Sequence, residues 1–326
     1  MNAKPIKLSE KDVRILNVIK QNSKLSYREI SKLTNVGATT IHKKVQKWVK
    51  KGLIKRFTID INWELLRRSN VAYMSLLMDF PNEKGTIDTY AGILDKIFEI
   101  PQVESVASVT GRTDIIVRVR TRNSDELNSI LNRLWVIEYI SRTETYVGLY
   151  DGKIGNALKG KSKEKFQFKR VHLKILQVLL ENAKASLREI ADKVGVSHAL
   201  VHSYLKELVS KRVIERFTLS LDNEKMNLPI KAFVLITFDF PLLKKIKGDQ
   251  EEIIDEILKN PKVLYGSTVT GRIDAILLVN VEDMHKLEDF FLGIRRIKGV
   301  KRTETLVASQ LLHKEVVDMD KLFDLK

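Results

Sequence analysis

Apolar residues near the start of the chain recur at helical spacing and predict two short helices. Ile15 and Ile19 lie on one face of the first helix, which Ser9 can cap. The second helix is predicted to open at Ser26, because Glu29 follows three residues later and completes a capping box that satisfies free amide donors.

A third helix is predicted from about Ala38 to Lys51, and Gly52 can end it in a left-handed cap. Ile41, Val45 and Trp48 face inward, which leaves a polar and basic outer face. Two helices, a tight turn and such a third helix predict a helix-turn-helix, whose last helix enters the major groove of DNA. The next segment, residues 53–61, is predicted to be a short strand and a candidate wing.

From Val71 the pattern changes to short apolar strands that alternate with helices. The predicted strands are 71–80, 103–109, 115–119 and 137–149, and the predicted helices are 86–100 and 124–134. This βαββαβ order is the ferredoxin-like split unit, with the turn TGRTD between the middle strands. One face of such a sheet is left open by the helices, and we expect a second copy to bury it.

The chain repeats itself at a fixed offset of 160 residues without a gap. The run Arg142–Thr145 (RTET) recurs at Arg302–Thr305. Other matched blocks start at Ser26 and Ser186, Arg56 and Arg216, Asp79 and Asp239, and Thr110 and Thr270. The chain is therefore a tandem duplication. Gly52 corresponds to Arg212, so the end of the third helix can differ between the copies.

The predicted fold class is α+β, with two tandem units that each contain a winged helix-turn-helix followed by a ferredoxin-like βαββαβ sensor domain. A glycine- and lysine-rich segment between the copies is predicted to be a flexible basic linker. The predicted boundaries are 1–62 and 63–150 for the first copy, 151–164 for the linker, and 165–223 and 224–326 for the second copy, which includes a C-terminal tail.

The charge is unevenly distributed. The chain has 57 Lys+Arg and 41 Asp+Glu, a net charge of +16, which favours a phosphate-rich partner. Residues 26–56 hold nine basic residues and one acidic residue, whereas residues 186–216 hold six and four. We therefore expect the first helix-turn-helix to make most phosphate contacts. The second is expected to bind weakly or to contact thymine methyl groups.

The third helix of each copy and the strand after it supply the predicted DNA-binding residues. In the first copy these are Thr39, Thr40, His42, Lys43, Lys44, Gln46, Lys47, Lys50, Lys55 and Arg56. In the second copy they are His198, Ala199, Leu200, His202, Ser203, Lys206 and Arg216. The alternative is that these are plain three-helix packing units, and it has more weight for the second copy.

A helix-turn-helix with a short wing, followed by βαββαβ with a TG-x-x-D turn, resembles the leucine-responsive (Lrp/AsnC, feast/famine) regulators. The resemblance covers nearly the whole chain, twice. It implies that two subunits pair through their sheets, that one chain here corresponds to a dimer, and that small ligands such as amino acids bind near the turn at contacts between dimers. The effector positions it implies are Thr110, Gly111, Arg112, Asp114, Thr270, Gly271, Arg272 and Asp274.

In the family pattern the position just before the turn aspartate is often apolar or aromatic, and the first turn departs from this. Here it is Thr113 or Ile273, preceded by an arginine in each copy. Each arginine can clasp a ligand carboxylate or pair with an acidic side chain across an oligomer contact, and both alternatives stay open. The turn glycines permit a positive φ, which is a sufficient structural reason for their presence.

Two further motifs do not predict a binding site. The segment Gly155–Ser162 fits a phosphate-binding-loop pattern, but that mechanism needs a parallel strand before the loop and a helix after it. His198 and His202 share a helix face, but no third zinc ligand is evident. No metal and no cofactor is predicted.

The chain has no cysteine, no apolar run long enough for a membrane span and no recognisable signal, which together favour a cytoplasmic location. The predicted function is a non-enzymatic transcription factor. Its expected partners are double-stranded DNA, an amino-acid-like effector and further copies that associate through the βαββαβ domains, with no membrane. The alternatives are a fused enzyme resembling the siroheme decarboxylases of this family and a chromatin-like architectural protein. The TG-x-x-D turns and the basic first recognition helix favour the regulator.

Overall fold

The capping residues begin the first helices where the sequence predicts. In this computed structural model, which describes residues 5–80, 87–153 and 166–323, the Ser9 hydroxyl accepts from the amide of Asp12. The carboxylate of Asp12 accepts in turn from the amide of Ser9 at 3.0 Å. Ser26 and Glu29 form the same reciprocal pair, and both boxes satisfy amides that the first helical turn leaves unpaired.

Each copy has five or more helices and five strands among the described residues. The first copy contains α1 (Glu10–Gln21), α2 (Tyr27–Thr34), α3 (Ala38–Lys50), β1 (Ile54–Ile61), β2 (Asn70–Met78), α4 (Ile87–Phe98), β3 (Val103–Val109), β4 (Ile115–Thr121), α5 (Ser124–Trp135) and β5 (Ile140–Lys153). The second contains α6 (Arg170–Glu181), α7 (Leu187–Val194), α8 (His198–Ser210), β6 (Ile214–Leu221), β7 (Ile230–Phe238), α9 (Phe240–Ile246), α10 (Gln250–Leu258), β8 (Val263–Val269), β9 (Ala275–Val281), α11 (Met284–Arg295), β10 (Val300–His313) and α12 (Met319–Leu322).

These elements form two compact units, and each unit takes residues from both copies. The helical unit comprises the described residues up to 67, 166–227 and 315–323. The barrel unit comprises 68–80, 87–153 and 228–314. The C-terminal segment, predicted as a tail of the second sensor domain, instead belongs to the helical unit, where Met319 packs into the core of the second helix-turn-helix.

In the helical unit, β1 pairs antiparallel with β6, so the strand predicted as a wing is bonded to its counterpart from the other copy. Each strand also packs into the other copy's helices. Ile59 and Ile61 lie in the apolar cluster around α6, α7 and α8, and Leu219 lies in the cluster around α1, α2 and α3. Each helical domain is therefore completed by a strand from the other.

Side-chain contacts repeat across this strand pair at the same offset as the sequence. The hydroxyl of Thr58 donates to the carbonyl of Leu180 at 2.8 Å, and that of Thr218 donates to the carbonyl of Lys20 at 2.7 Å. Equivalent contacts on both sides of the strand pair indicate that the duplicated halves are related by an approximate twofold axis.

The barrel unit contains the two predicted ferredoxin-like sheets, with strand orders β3-β4-β2-β5 and β8-β9-β7-β10. Pairing of β5 with β8 and of β10 with β3 joins them into one closed eight-stranded barrel. Tyr73 and Ile116 of the first copy lie in one buried cluster with Phe233, Ile276 and Leu278 of the second. The expectation that the second copy covers the open face is confirmed.

A buried group of charges lies inside the barrel on the first copy's strands. Arg118 donates to both carboxylate oxygens of Asp151 at 2.9 Å, and Arg120 donates to one of them at 3.0 Å. Both arginines also pair with Glu104. Burial lowers the pKa of Arg118, but Asp151 outweighs it and raises that pKa above its ordinary value. In the second copy the positions of Glu104, Arg118 and Asp151 are all leucine.

Two boundary expectations from the sequence are wrong. Asp151, predicted to begin the linker, belongs to β5, because the polar end of this strand is stabilised by pairing with β8. The helix end at Arg212 does not differ from that at Gly52, since φ is +56° at Arg212 and +69° at Gly52. Residues 154–164 of the predicted linker, which contain the whole phosphate-loop match Gly155–Ser162, lie outside the described residues.

Candidate DNA interface and effector turns

The outer face of α3 is open to solvent. The apolar side chains Ile41, Val45 and Trp48 are buried against the rest of the helical domain and fix the rotation of the helix. The exposed predicted DNA-binding residues of this helix are Thr39, Thr40, His42, Lys43, Gln46, Lys47 and Lys50. A solvent-facing helix with this set of side chains is suited to the major groove.

One of the outward polar groups is already oriented. The ring of His42 packs edge-on against Tyr27 with 5.2 Å between centroids. Its Nε2 lies 3.3 Å from Nε2 of Gln46, one turn further along the helix. These contacts hold His42 and Gln46 side by side on the exposed surface.

Lys44 does not belong to this exposed face. Its Nζ lies 2.6 Å from Oδ1 of Asp12 on α1, and its side chain is only half-exposed. Burial raises the pKa of Asp12, but hydrogen bonds from Lys44 and Ser9 outweigh it and hold the pKa below its usual range. Lys44 therefore joins α3 to α1 in this structure, and its phosphate contact stays a prediction.

The predicted strand contacts are also engaged within the protein. Lys55 and Arg56 both bind the carboxylate of Glu315, in the C-terminal segment of the helical unit. Arg216 binds Asp60 across the β1–β6 pair. Each of these three basic residues thus has a carboxylate partner within the protein, and its phosphate contact stays a prediction.

The second recognition helix, α8, is exposed but poorer in charge. Its hydrophobic Leu200 is 37% exposed, close to the solvent-facing Ala199. The other exposed predicted DNA-binding residues of this helix are His198, His202, Ser203 and Lys206. The two recognition helices thus share a scaffold and differ in surface chemistry.

Each TG-x-x-D turn is held by its aspartate. The carboxylate of Asp114 accepts from the amide of Met78 at 2.7 Å, and that of Asp274 accepts from the amide of Phe238 at 2.8 Å. The glycines Gly111 and Gly271 have φ values of +130° and +124°, which favour glycine. Thr110 and Thr270 are exposed beside them, and their amides donate across the barrel seams to β10 and β5.

The turn arginines pair with glutamates of the opposite copy. Arg112 lies 3.0 Å from Glu304, and Arg272 donates from Nε to Glu144 at 2.6 Å. Of the two alternatives left open, the structure shows pairing with an acidic side chain, inside one chain. Both glutamates belong to the repeated RTET runs, so the repeat contained a signal for these partners.

The space beside the first turn is small. A cavity of about 10 Å³, bordered by Ser75, Arg112, Thr113 and Tyr146, has room for about one water molecule. Ser75 donates to Thr113, which donates to the carbonyl of Leu76 at 2.8 Å. An amino-acid-sized ligand would need this region to open.

Comparison with protein families assigns both halves of each copy. A winged helix-turn-helix DNA-binding model matches residues 8–55 and 169–215. An Lrp/AsnC ligand-binding-domain model matches residues 82–155 and 231–318. The fold and these matches define a DNA-binding transcriptional regulator with a ligand-binding type of domain, present twice.

Curated relatives agree with this class. The chain is 31% identical over 142 residues to the HTH-type transcriptional regulator FL11 of Pyrococcus furiosus, which covers 44% of this chain and 89% of the relative. It is 31% identical over 140 residues to the regulator LysM of Saccharolobus solfataricus, covering 43% of this chain and 92% of the relative. The chain belongs to the Lrp/AsnC family of transcriptional regulators, as a tandem of two copies.

One group of solved structures matches the whole length. The siroheme decarboxylase NirDL superposes with a TM-score of 0.65 at 11% identity, covering 97% of each chain. At this identity the likeness shows the fold alone. Within the part of the chain that the structure describes, no helix is long and apolar enough to cross a membrane.

Proposed function

We propose that the chain is a sequence-specific DNA-binding regulator in which one polypeptide is equivalent to an Lrp/AsnC dimer. The observation that carries this proposal is the pair of exposed, unequal recognition helices joined through β1 and β6 in one unit. The two helices would read one site with two non-identical halves. The family membership supports it.

The first recognition helix supplies the main contacts in this proposal. Lys43, Lys47 and Lys50 bind phosphates, which positions the helix, while threonine and glutamine side chains read base edges. The base-reading residues are Thr39, Thr40 and Gln46. On α8 the small and apolar side chains Ala199 and Leu200 contact thymine methyl groups, and fewer counterions are released there.

Selection of bound DNA from a random pool by the full chain, followed by footprinting, tests this function. We expect a motif with dissimilar half-sites. A perfectly palindromic motif would contradict the proposal that the two recognition helices bind different half-sites. Absence of any enriched motif, with random DNA competing equally at physiological salt, would favour an architectural DNA-binding protein instead.

An effector site at the TG-x-x-D turns belongs to the same proposal. A ligand carboxylate would replace Glu304 on Arg112, or Glu144 on Arg272, because both compete for the same guanidinium. Screening of amino acids by thermal shift tests this exchange. A stabilising amino acid should lose its effect in an Arg112→Gln, Arg272→Gln variant and keep it in a Lys244→Gln, Lys259→Gln variant, which removes the same charge from exposed sites.

The full-length likeness to NirDL supports a siroheme decarboxylase as the second candidate. Against it, Arg118 and Arg120 inside the barrel are already neutralised by Glu104 and Asp151, so they do not offer free charge to tetrapyrrole carboxylates. Titration of siroheme into the protein separates the two functions. We expect no saturable absorbance shift, and a stoichiometric shift would favour the enzyme.

A further inference from the structure

A basic cavity opens on the flank of α3 in the helical unit. It has a volume of about 570 Å³, within the range of small-molecule sites. Five lysines and one aspartate contribute to its lining, which gives these residues a net charge of +4. They are Lys7, Lys44, Lys47, Lys51, Lys225 and Asp12. The buried indole of Trp48 also borders the cavity.

The carboxylate of the single aspartate in this lining already has hydrogen-bond partners within the protein. Asp12 accepts from Lys44 and from the amide of Ser9, so its charge is used within α1 and by its ion pair. Among the described residues, no carboxylate lies within ion-pair distance of Lys7, Lys47 or Lys51. The cavity therefore concentrates positive charge that the protein itself does not neutralise.

Lys225 is brought to the cavity by the second copy. Its carbonyl accepts from the amide of Ile6 at 2.9 Å, and its own amide donates to Asp222 at 3.0 Å. Its ammonium group lies against Gly52, where a Cβ would approach Nζ to 2.6 Å. These hydrogen bonds thus fix the backbone of Lys225, and the missing side chain at Gly52 leaves room for the lysine's ammonium group.

The second copy provides an internal comparison. At the offset of 160 residues, Asp12 and Lys44 become His172 and Tyr204, whose rings pack edge-on with 4.6 Å between centroids. Lys225 corresponds to Leu65, which is buried in the apolar core. The same scaffold is therefore filled with aromatic and apolar groups in one copy and lined with lysines in the other.

We propose that this cavity binds a small anion with several closely spaced phosphate groups, and that its occupancy weakens DNA binding. Several ammonium groups around one concave space match several phosphates, whereas a single carboxylate or chloride would leave most of the charge unbalanced. Lys7 and Lys225 lie outside the recognition helix, which favours a free anion over the DNA backbone. Lys47 borders the cavity and is exposed on α3, so anion and DNA compete for it; only this coupling rests on the proposed DNA-binding function.

Calorimetric titration of the full chain with tripolyphosphate, without DNA and at constant ionic strength, tests the site. We expect saturable binding of one anion per chain. A Lys7→Gln, Lys225→Gln variant should bind at least tenfold more weakly, because two ammonium groups off the recognition helix are removed. A Lys244→Gln, Lys259→Gln variant removes the same charge from exposed sites in the barrel unit and should bind like the parent.

A second variant tests the same site in case the first one fails to fold. Asp12→His with Lys44→Tyr and Lys225→Leu copies His172, Tyr204 and Leu65, which the second copy already accommodates, and leaves no aspartate without its lysine partner. It should keep its thermal transition and lose anion binding. Absence of saturable binding to the parent, or equal weakening in the charge-matched control, would overturn the site.

The coupling is measured separately on the selected DNA. Tripolyphosphate should raise the DNA Kd of the parent about tenfold more than an isoionic chloride control, and the Lys7→Gln, Lys225→Gln variant should not respond. If tripolyphosphate binds and the DNA Kd is unchanged, the coupling is wrong. If no DNA is bound at all, the regulatory function fails while the calorimetric result stands. If the variant loses only DNA affinity and the parent binds no tripolyphosphate, the cavity serves the DNA backbone and the proposal is overturned.

Discussion

Neighbouring lysines on α3 have different surroundings. Lys43 faces solvent, whereas Lys44 is turned by one residue toward α1 and is held by Asp12. The rotation of an α-helix, about 100° per residue, is enough to separate a ligand-facing side chain from a packing one. Charge counts along the sequence treat both lysines alike, and only the packed helix distinguishes them.

Removal of exposed lysines should change the salt dependence of DNA binding. We expect Lys43→Ala with Lys50→Ala to flatten the slope of log K against log salt by about 1–2, because each lost phosphate contact releases about one counterion fewer. A salt titration by fluorescence anisotropy measures this slope. Lys55→Ala is the control and should leave the slope unchanged, since Lys55 binds Glu315. An unaltered slope in the double variant would contradict the proposed phosphate contacts.

The left-handed residue after each recognition helix offers a test at single positions. Arg212→Gly should stabilise the protein by about 0.5–1 kcal/mol, because a side chain at φ +56° is strained and glycine is not. Gly52→Ala should destabilise it by about 1 kcal/mol, because alanine is strained at φ +69°, whereas the flexible end of Lys225 can move away from the new Cβ. Chemical denaturation measures both changes. Effects of the same sign in the two variants would contradict this account.

At the scale of elements, the strand after each recognition helix is the main departure from the sequence-based prediction. Its length and position were predicted, and its partner was not. The β1–β6 pair puts Leu219 of the second copy into the core of the first helix-turn-helix. Exchange of strands makes the stability of each DNA reader depend on the other copy.

Truncation of Leu219 should therefore weaken the first copy. We expect Leu219→Ala to cost about 2–4 kcal/mol, as for other buried leucines, and to increase hydrogen exchange in α1 and α3 as well as in β6. Ser220→Ala, at the next position, is the control and should change stability by no more than about 0.5 kcal/mol. If exchange rises only in the second copy's helices, the strands are not exchanged in solution.

At the scale of the whole molecule, the barrel joins two sheets of unequal chemistry. The first copy contributes Arg118, Arg120, Glu104 and Asp151, and the second contributes mainly apolar side chains at the matching positions. A buried charge without its partner is costly, whereas a complete apolar replacement is tolerated. Fusion of two copies in one chain allows such unequal halves to be kept together.

Loss of the shared carboxylate should be strongly destabilising. We expect Asp151→Asn to cost about 3–5 kcal/mol, because Arg118 and Arg120 then lose a buried counter-charge. The quadruple variant Glu104→Leu, Arg118→Leu, Arg120→Asn, Asp151→Leu copies the second copy's residues at these positions and should recover most of that loss. Denaturant unfolding compares the two. Equal losses in both would show that the charges do not act as a group.

The same carboxylate predicts an acid-dependent stability. Burial raises the pKa of Asp151, but Arg118 and Arg120 outweigh it and hold the pKa far below its usual range. A lowered folded-state pKa contributes stability that is complete above about pH 4, the ordinary range for aspartate, and is lost as the pH falls below it. Unfolding free energies measured from pH 5 to pH 2 should fall less steeply for Asp151→Asn than for the parent. An identical slope would contradict the buried ion pairs.

The sequence by itself determined the local elements and the duplication. Capping boxes such as Ser26 with Glu29, inward residues at helical spacing and the glycine turns act over a few residues, so their pattern is visible in the chain. The exposed face of α3 and the strand order within each sheet followed from the same patterns.

Only the tertiary structure decided which distant groups meet. The pairing of β1 with β6, the binding of Arg56 to Glu315 and the extension of β5 to Asp151 join residues that are far apart in sequence or across copies. Backbone hydrogen bonds and ion pairs depend on distance in space. The local sequence shows that a strand needs a partner strand, or a basic side chain a carboxylate, but it does not show which one lies nearby. For this reason the sequence predicts DNA contacts at four basic residues that the folded chain places beside carboxylates. They are Lys44, Lys55, Arg56 and Arg216.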